Sequence, residues 1–133
     1  LAQDTVPLAE LTLSTLRLMN DATLPWLLLV PRRADLREMH ALHAPERTLL
    51  MEEIALASRV LEQQFSPDKL NVGALGNLVP QLHVHVIARF VRDRAWPGPV
   101  WGVPGGQPYA AAALAETVAT LRQRLSTEGV SFY

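Results

Sequence analysis

Two of the chain's four histidines, His83 and His85, stand two residues apart in the stretch "VPQLHVHVIAR", Val79 to Arg89. Imidazole titrates closer to neutrality than any other side chain, so such a pair can move protons, ligate a metal or attack an electrophile. Each role needs different company. Zinc needs at least a third ligand, and the remaining histidines, His40 and His43, lie near the entrance of a long helix, with nothing in the sequence bringing them to the pair. Cysteine is absent, which removes thiolate ligands and disulfides together. Attack on phosphorus needs a neutral ring, and an ordinary histidine is largely unprotonated near pH 7. Two hydrogen-bonded histidines on a half-exposed strand are the plain structural reading of the same residues.

The elements around the pair must decide which face it occupies. Alternation puts Gln81, His83 and His85 on one face of a strand and Leu82, Val84 and Val86 on the other. The apolar set predicts contact with helices and the polar set an open face; a one-residue slip would exchange them. Upstream, "AELTLSTLRLMND" reads as a strand with an irregularity, Leu11 and Leu13 on one beat, Leu16 and Leu18 on the other. "LPWLLLVPRR" reads as a buried strand stopped at Pro31, and the two predict a hairpin around "NDAT". Leu49, Leu50, Ile54, Ala57, Val60, Leu61 and Phe65 then recur at helical spacing, with Pro45 suited to the first turn and Ser66-Pro67-Asp68 to the stop. "KLNVGAL", the turn "GNLVP" and "QLHVHVIARF" predict a second hairpin. "RDRAWPGPVWGVPGGQP" predicts an irregular packed loop, and "YAAAALAETVATLRQRL" a second helix. The expected fold is α+β, an antiparallel sheet with two main helices on one side, residues 1-133 forming a single domain.

Composition narrows the partners. A formal net charge of -1 leaves no basic stripe of the kind nucleic-acid binders carry, although a small phosphorylated ligand needs only a few groups. No apolar run has bilayer length and the first residues do not resemble a signal peptide, so a soluble cytoplasmic protein without a membrane partner is expected. The chain starts at Leu1 rather than Met, and further residues are expected before it.

"NVGALGNLVPQLHVHVIAR" resembles the signature of the histidine triad (HIT) superfamily, in which a His-x-His-x-His strand follows a hairpin of the form Asn-x-Gly…Gly-Gln-x-Val. "LLLVPRR" and "AWPGPVWG" extend the resemblance over most of the chain. It implies that His83 is a nucleophile attacking the α-phosphate of a nucleotide, and that His85 contacts the phosphate and stabilises the transferring charge. It also implies that Asn71 hydrogen-bonds the phosphate region, that Gly76, Asn77, Leu78 and Val79 present backbone N–H groups to phosphate oxygens, and that Asn20 meets the ribose. Asp21 is the fallback for Asn20, which suits a plain turn equally well.

Three positions depart from the pattern. Gln81 replaces the first triad histidine; its amide can orient neighbours but cannot carry a proton. Ala34 stands where one branch has a further histidine, and Leu78 where the turn has a hydroxyl. The resemblance thus implies hydrolysis or transfer at the α-phosphate of a purine nucleotide conjugate, of dinucleoside polyphosphate or nucleoside phosphoramidate type. The route is a nucleotidyl-histidine, without metal or cofactor, in a homodimer. A nucleotide-binding module with little turnover is the alternative that Gln81, Ala34 and Leu78 favour, and a histidine-ligated metal protein is a third. Trp96 and Trp101 suit either a cover over the leaving-group side or pins for the Pro-Gly loop. Arg32 and Arg33 read as a solvated strand end, and His40 and His43 as surface residues.

Overall fold

"WLLLVP" is apolar at every position, as a strand covered on both faces must be, and it lies in the middle of the sheet. In the computed structural model, which describes residues 3–132, five antiparallel strands are formed. They are β1 (Thr5–Glu10), β2 (Ser14–Met19), β3 (Trp26–Pro31), β4 (Lys69–Gly73) and β5 (Val84–Arg89), in the order β1-β2-β3-β5-β4. Helix α1 (Ala44–Phe65) connects β3 to β4, and α2 (Ala111–Thr127) follows β5. This is the expected α+β arrangement. Pro45 occupies the first turn of α1, where its missing N–H costs nothing. Ser66 ends the helix in the left-handed region, its N–H returning to the Glu62 carbonyl at 3.0 Å.

The slip in "AELTLSTLRLMND" is a chain reversal, a correction to the single irregular strand. β1 and β2 pair across a turn at residues 11–13, where the Leu11 N–H donates to the Ser14 carbonyl at 2.8 Å. The true irregularity lies in β1, between Pro7 and Ala9, where proline offers no donor to the ladder.

Alternation then sorts the sheet. Leu16, Leu18, Leu27, Leu29, Val84 and Val86 meet Ala57, Val60 and Leu61 of α1 and Leu121 and Leu125 of α2 in the main core. Full burial of each large aliphatic side chain contributes about 1.5–3 kcal/mol. The opposite face is not open, a second correction. Trp26, Leu28 and Ile87 pack there with Leu24 and Val100 in a smaller core. The cover comes from the Pro- and Gly-rich segment, held by side chains at both ends. Arg94 donates to Asp21 at 2.8 Å and to the Val103 carbonyl at 2.6 Å, and Arg89 donates to the Gly98 carbonyl at 2.8 Å. Among the described residues no helix is long and apolar enough to cross a membrane.

Candidate active site

β5 delivers His85 to the covered face. Its direct neighbours across the ladder are Leu28 on β3 and Gly73 on β4. The Trp26 indole Nε1–H donates to His85 Nδ1 at 2.9 Å, so Nδ1 carries the lone pair and the proton of the neutral ring resides on Nε2. Trp101 packs edge-on against the same imidazole, ring centres 5.4 Å apart. Gly73 makes that approach possible, since a Cβ there would lie 3.1 Å from Trp101 Cη2. His85 is 5 % exposed, and burial, reinforced by the neighbouring His83, lowers its pKa to about 4.

His83 is set by different means. It precedes the regular ladder of β5, and Leu82 just before it donates its N–H to the Leu36 carbonyl at 2.8 Å. His83 Nδ1 lies 2.7 Å from the backbone carbonyl of Gln81. A carbonyl only accepts, so in the neutral ring the proton sits on Nδ1 and the lone pair on Nε2. The two rings stand 5.0 Å apart at 66° and hold opposite tautomers. One offers a nucleophilic nitrogen, the other a donor N–H.

Both rings line a cavity of about 420 Å³, together with Met19, Leu28, Trp101 and the turn at residues 75–79. That lies within the roughly 300–1,000 Å³ typical of small-molecule sites. Gly76 takes φ +70°, and the amides of Gly76, Asn77, Leu78 and Val79 donate to no group of the described chain. A second cavity of about 280 Å³ shares Leu75, Gly76 and His83 with the first and has Arg37 and His40 in its wall.

This arrangement has known relatives. A profile of the HIT domain matches residues 2–92. The chain belongs to the HIT domain family. HIT proteins generally act on nucleotides, typically as hydrolases or transferases. The HIT chain is 46% identical to a histidine triad protein from Bradyrhizobium japonicum, with a TM-score of 0.90 over 93% of this chain and 92% of that one. It is 44% identical to a histidine triad protein from Marinobacter aquaeolei VT8, with a TM-score of 0.91 over 96% and 93%. A HIT protein from Sinorhizobium meliloti 1021 is 41% identical, with a TM-score of 0.89 over 92% and 91%. No functionally curated protein matches the chain.

Not every expected residue of this HIT site points at the imidazoles. Asn77, Leu78 and Val79 do line the main cavity, Leu78 at 96 % exposure. Gln81 does not: its side-chain Nε2 donates to the Pro31 carbonyl at 3.3 Å and faces a separate cleft with Asp35 and Arg37. The part of Gln81 that meets His83 is its main chain, which any residue supplies. Asn71 accepts from Arg89 Nη1 at 2.6 Å, outside the cavity wall. Asn20 accepts from the Tyr109 N–H at 2.9 Å and lies in an adjoining cavity, which shares Asp4 and Met19 with the main one.

Asp21 is committed to Thr23 and Arg94. Burial pushes its carboxyl up, but the Thr23 hydroxyl and N–H, with Arg94, outweigh that and hold it below its ordinary value. Trp96 lies over the Arg89 guanidinium at 5.9 Å and pins the loop, whereas Trp101 covers His85. Arg32 pairs with Glu10 and Arg33 with Glu46, as a strand end would. Ala34 is exposed beside them. His40 is exposed as expected, yet it belongs to the second cavity.

Sequence reasoning missed Trp26, Met19 and Arg37. Trp26 had a usable signal, since alternation places it with Leu28 and the hairpin register then turns both toward the histidine face. Among the described residues no three His, Cys, Asp or Glu side chains gather as a metal site would need, so the metal reading finds no third ligand.

The low His85 pKa has a measurable consequence. The unfolded ring protonates near 6.5 and the folded one near 4, so between those values the unfolded chain binds more protons and stability falls as pH falls. The urea midpoint should decline from pH 6.5 to 4, and His85→Asn should flatten that slope. An NMR titration placing the His85 midpoint near 6.5 would contradict the buried neutral donor.

Proposed function

We propose that this HIT protein hydrolyses or transfers at the α-phosphate of a purine nucleotide conjugate through a nucleotidyl-histidine on His83. The observation that carries this is the 2.7 Å contact between His83 Nδ1 and the Gln81 carbonyl, which leaves Nε2 as a free lone pair beside the cavity. Attack by Nε2 forms the N–P bond as the bond to the leaving group breaks. The positive ring is stabilised through Nδ1–H at the Gln81 carbonyl. The His85 Nε2–H and the unengaged amides of Asn77, Leu78 and Val79 supply donors for the phosphoryl oxygens as charge grows on them. Water then attacks phosphorus, and the imidazole leaves with its electron pair. Asn20, whose side-chain NH₂ stays free while its oxygen is used, remains our candidate for the ribose. Asn71 acts at one remove, by holding Arg89.

The same geometry favours one kind of conjugate. Gln81 carries no proton to give, and its side chain points elsewhere. An amine leaves phosphorus well only when protonated, whereas a phosphate chain leaves as an anion without help. Phosphoanhydrides therefore suit this site better than phosphoramidates. A second reading, a nucleotide-binding module with little turnover, draws on exposed Leu78 in place of a hydroxyl. The homodimer belongs to the proposal too: β4 is an edge strand with Val72 half exposed, an edge a second copy can extend. A monomer mass on sedimentation would remove that part.

Rapid-quench mass spectrometry with a diadenosine polyphosphate and an adenosine phosphoramidate tests the chemistry. An adenylyl adduct on His83 should form and decay, faster with the polyphosphate. Turnover without any adduct would overturn the nucleophile. Binding of AMP with no turnover of either conjugate would leave the binding module standing instead.

A further inference from the structure

His83 borders two cavities, and the proposed chemistry has used only the larger. In displacement through histidine, the leaving group departs from the face of phosphorus opposite Nε2, and water or another acceptor later enters on that same face. Leu75, Gly76 and His83 stand in the walls of both, so a phosphorus held beside Gly76 and His83 can direct its nucleoside toward the larger and its leaving chain toward the smaller.

The smaller cavity carries the charge such a chain requires. Arg37 makes no hydrogen bond or ion pair within the described chain. That sets it apart, because every other arginine among the described residues except Arg92 is engaged, for example Arg17 with Thr5, Arg59 with Glu128 and Arg122 with the Leu8 carbonyl. Arg37 is also well placed at its root. Leu36 beside it is buried, and the Leu36 carbonyl takes the N–H of Leu82, the residue before the nucleophile. His40, on the short 3-10 turn Met39–Ala41, adds a ring N–H donor to the wall. Glu38 shares that wall and offsets part of the charge.

We propose that Arg37 and His40 form the leaving-group subsite, selecting conjugates whose leaving group is a phosphate chain. This rests on attack by His83. As the N–P bond forms, the bridging P–O bond breaks and its oxygen keeps the electron pair; the terminal phosphates then carry that charge against the Arg37 guanidinium, which needs to give up no proton. In the second step water enters, the N–P bond breaks and the water proton passes to solvent.

The test compares two conjugates of one nucleoside in the full chain: diadenosine tetraphosphate and the 4-nitrophenyl ester of AMP, whose leaving group carries no phosphate. Arg37→Ala should lower the ratio of kcat/KM for tetraphosphate over aryl ester by about ten-fold or more, the usual worth of a charge-assisted hydrogen bond. Arg37→Ala/His40→Ala should lower it further, and Glu38→Gln should raise it. Equal losses on both substrates, or an unchanged ratio, would overturn the subsite. If neither conjugate is cleaved, or cleavage survives His83→Ala, it is the nucleophile that fails. Calorimetry then reads the subsite separately: Arg37→Ala should weaken adenosine tetraphosphate binding relative to AMP about ten-fold, and an unchanged ratio would reject it.

Discussion

Replacing His83 with Ala is expected to lower kcat by about four orders of magnitude or more, while AMP affinity changes by less than about ten-fold. The asymmetry follows from what each group does. In the proposed route His83 Nε2 opens a two-step path that exists only once a bond to phosphorus can form. On the same proposal, ground-state affinity comes instead from the cavity walls, the His85 Nε2–H and the amides of the turn. Single-turnover kinetics alongside calorimetry separate the two quantities. If kcat falls less than ten-fold, the imidazole does not form the intermediate. If affinity collapses together with rate, His83 is a binding group, and the lone pair fixed by the Gln81 carbonyl has another purpose.

Arg89→Ala should destabilise the fold by about 3–5 kcal/mol, the usual cost of leaving one half of a buried ion pair. Arg89 is 1 % exposed. Its Nε and Nη2 donate to the two oxygens of Asp93 at 2.8 and 3.0 Å, its Nη1 to Asn71, and Nη2 also to the Gly98 carbonyl. Removing the guanidinium strands a carboxylate that is itself almost fully buried. The hydrogen bond from Arg89 is the main reason the Asp93 carboxyl sits well below the usual carboxylate range, with the N–H groups of Phe90 and Ala95 adding to it against burial. Stability from this pair is therefore complete above the unfolded carboxyl pKa, near pH 4, and lost as pH falls below it. Urea unfolding at pH 7 measures the change, and a loss under 1 kcal/mol would mean that the pair contributes little.

How much of this was legible in the sequence depends on the range of the interaction. The helical stripe from Leu49 to Phe65 and the beat of Leu82, Val84 and Val86 are local periodicities, and both took their expected places. The first strand did not, because a slip in alternation looks the same for a bulge and for a two-strand turn until pairing partners are known. Site residues were harder still. Asn20, Asn71 and Gln81 were placed by motif position, yet their side chains bond to Tyr109, Arg89 and Pro31, choices set by neighbours 89, 18 and 50 positions away. Trp26 reaches His85 across 59 positions. Burial of the histidine face needed knowledge of where the Pro-Gly segment folds back, and no period in that segment announces it.

The anchoring of that segment has a consequence for how the molecule opens. A stretch without regular structure ordinarily exchanges its amide hydrogens within seconds, as an independent, weakly held unit. Here Arg89 binds it from the end of β5, through Asp93 and the Gly98 carbonyl, while Asn20 and Asp21 bind it from the β2–β3 turn, through Tyr109 and Arg94. Releasing it exposes a buried carboxylate and uncovers Trp26, Ile87 and Val100 together. Its slowest amides should then report the same opening free energy as β5, making loop and central sheet one cooperative unit.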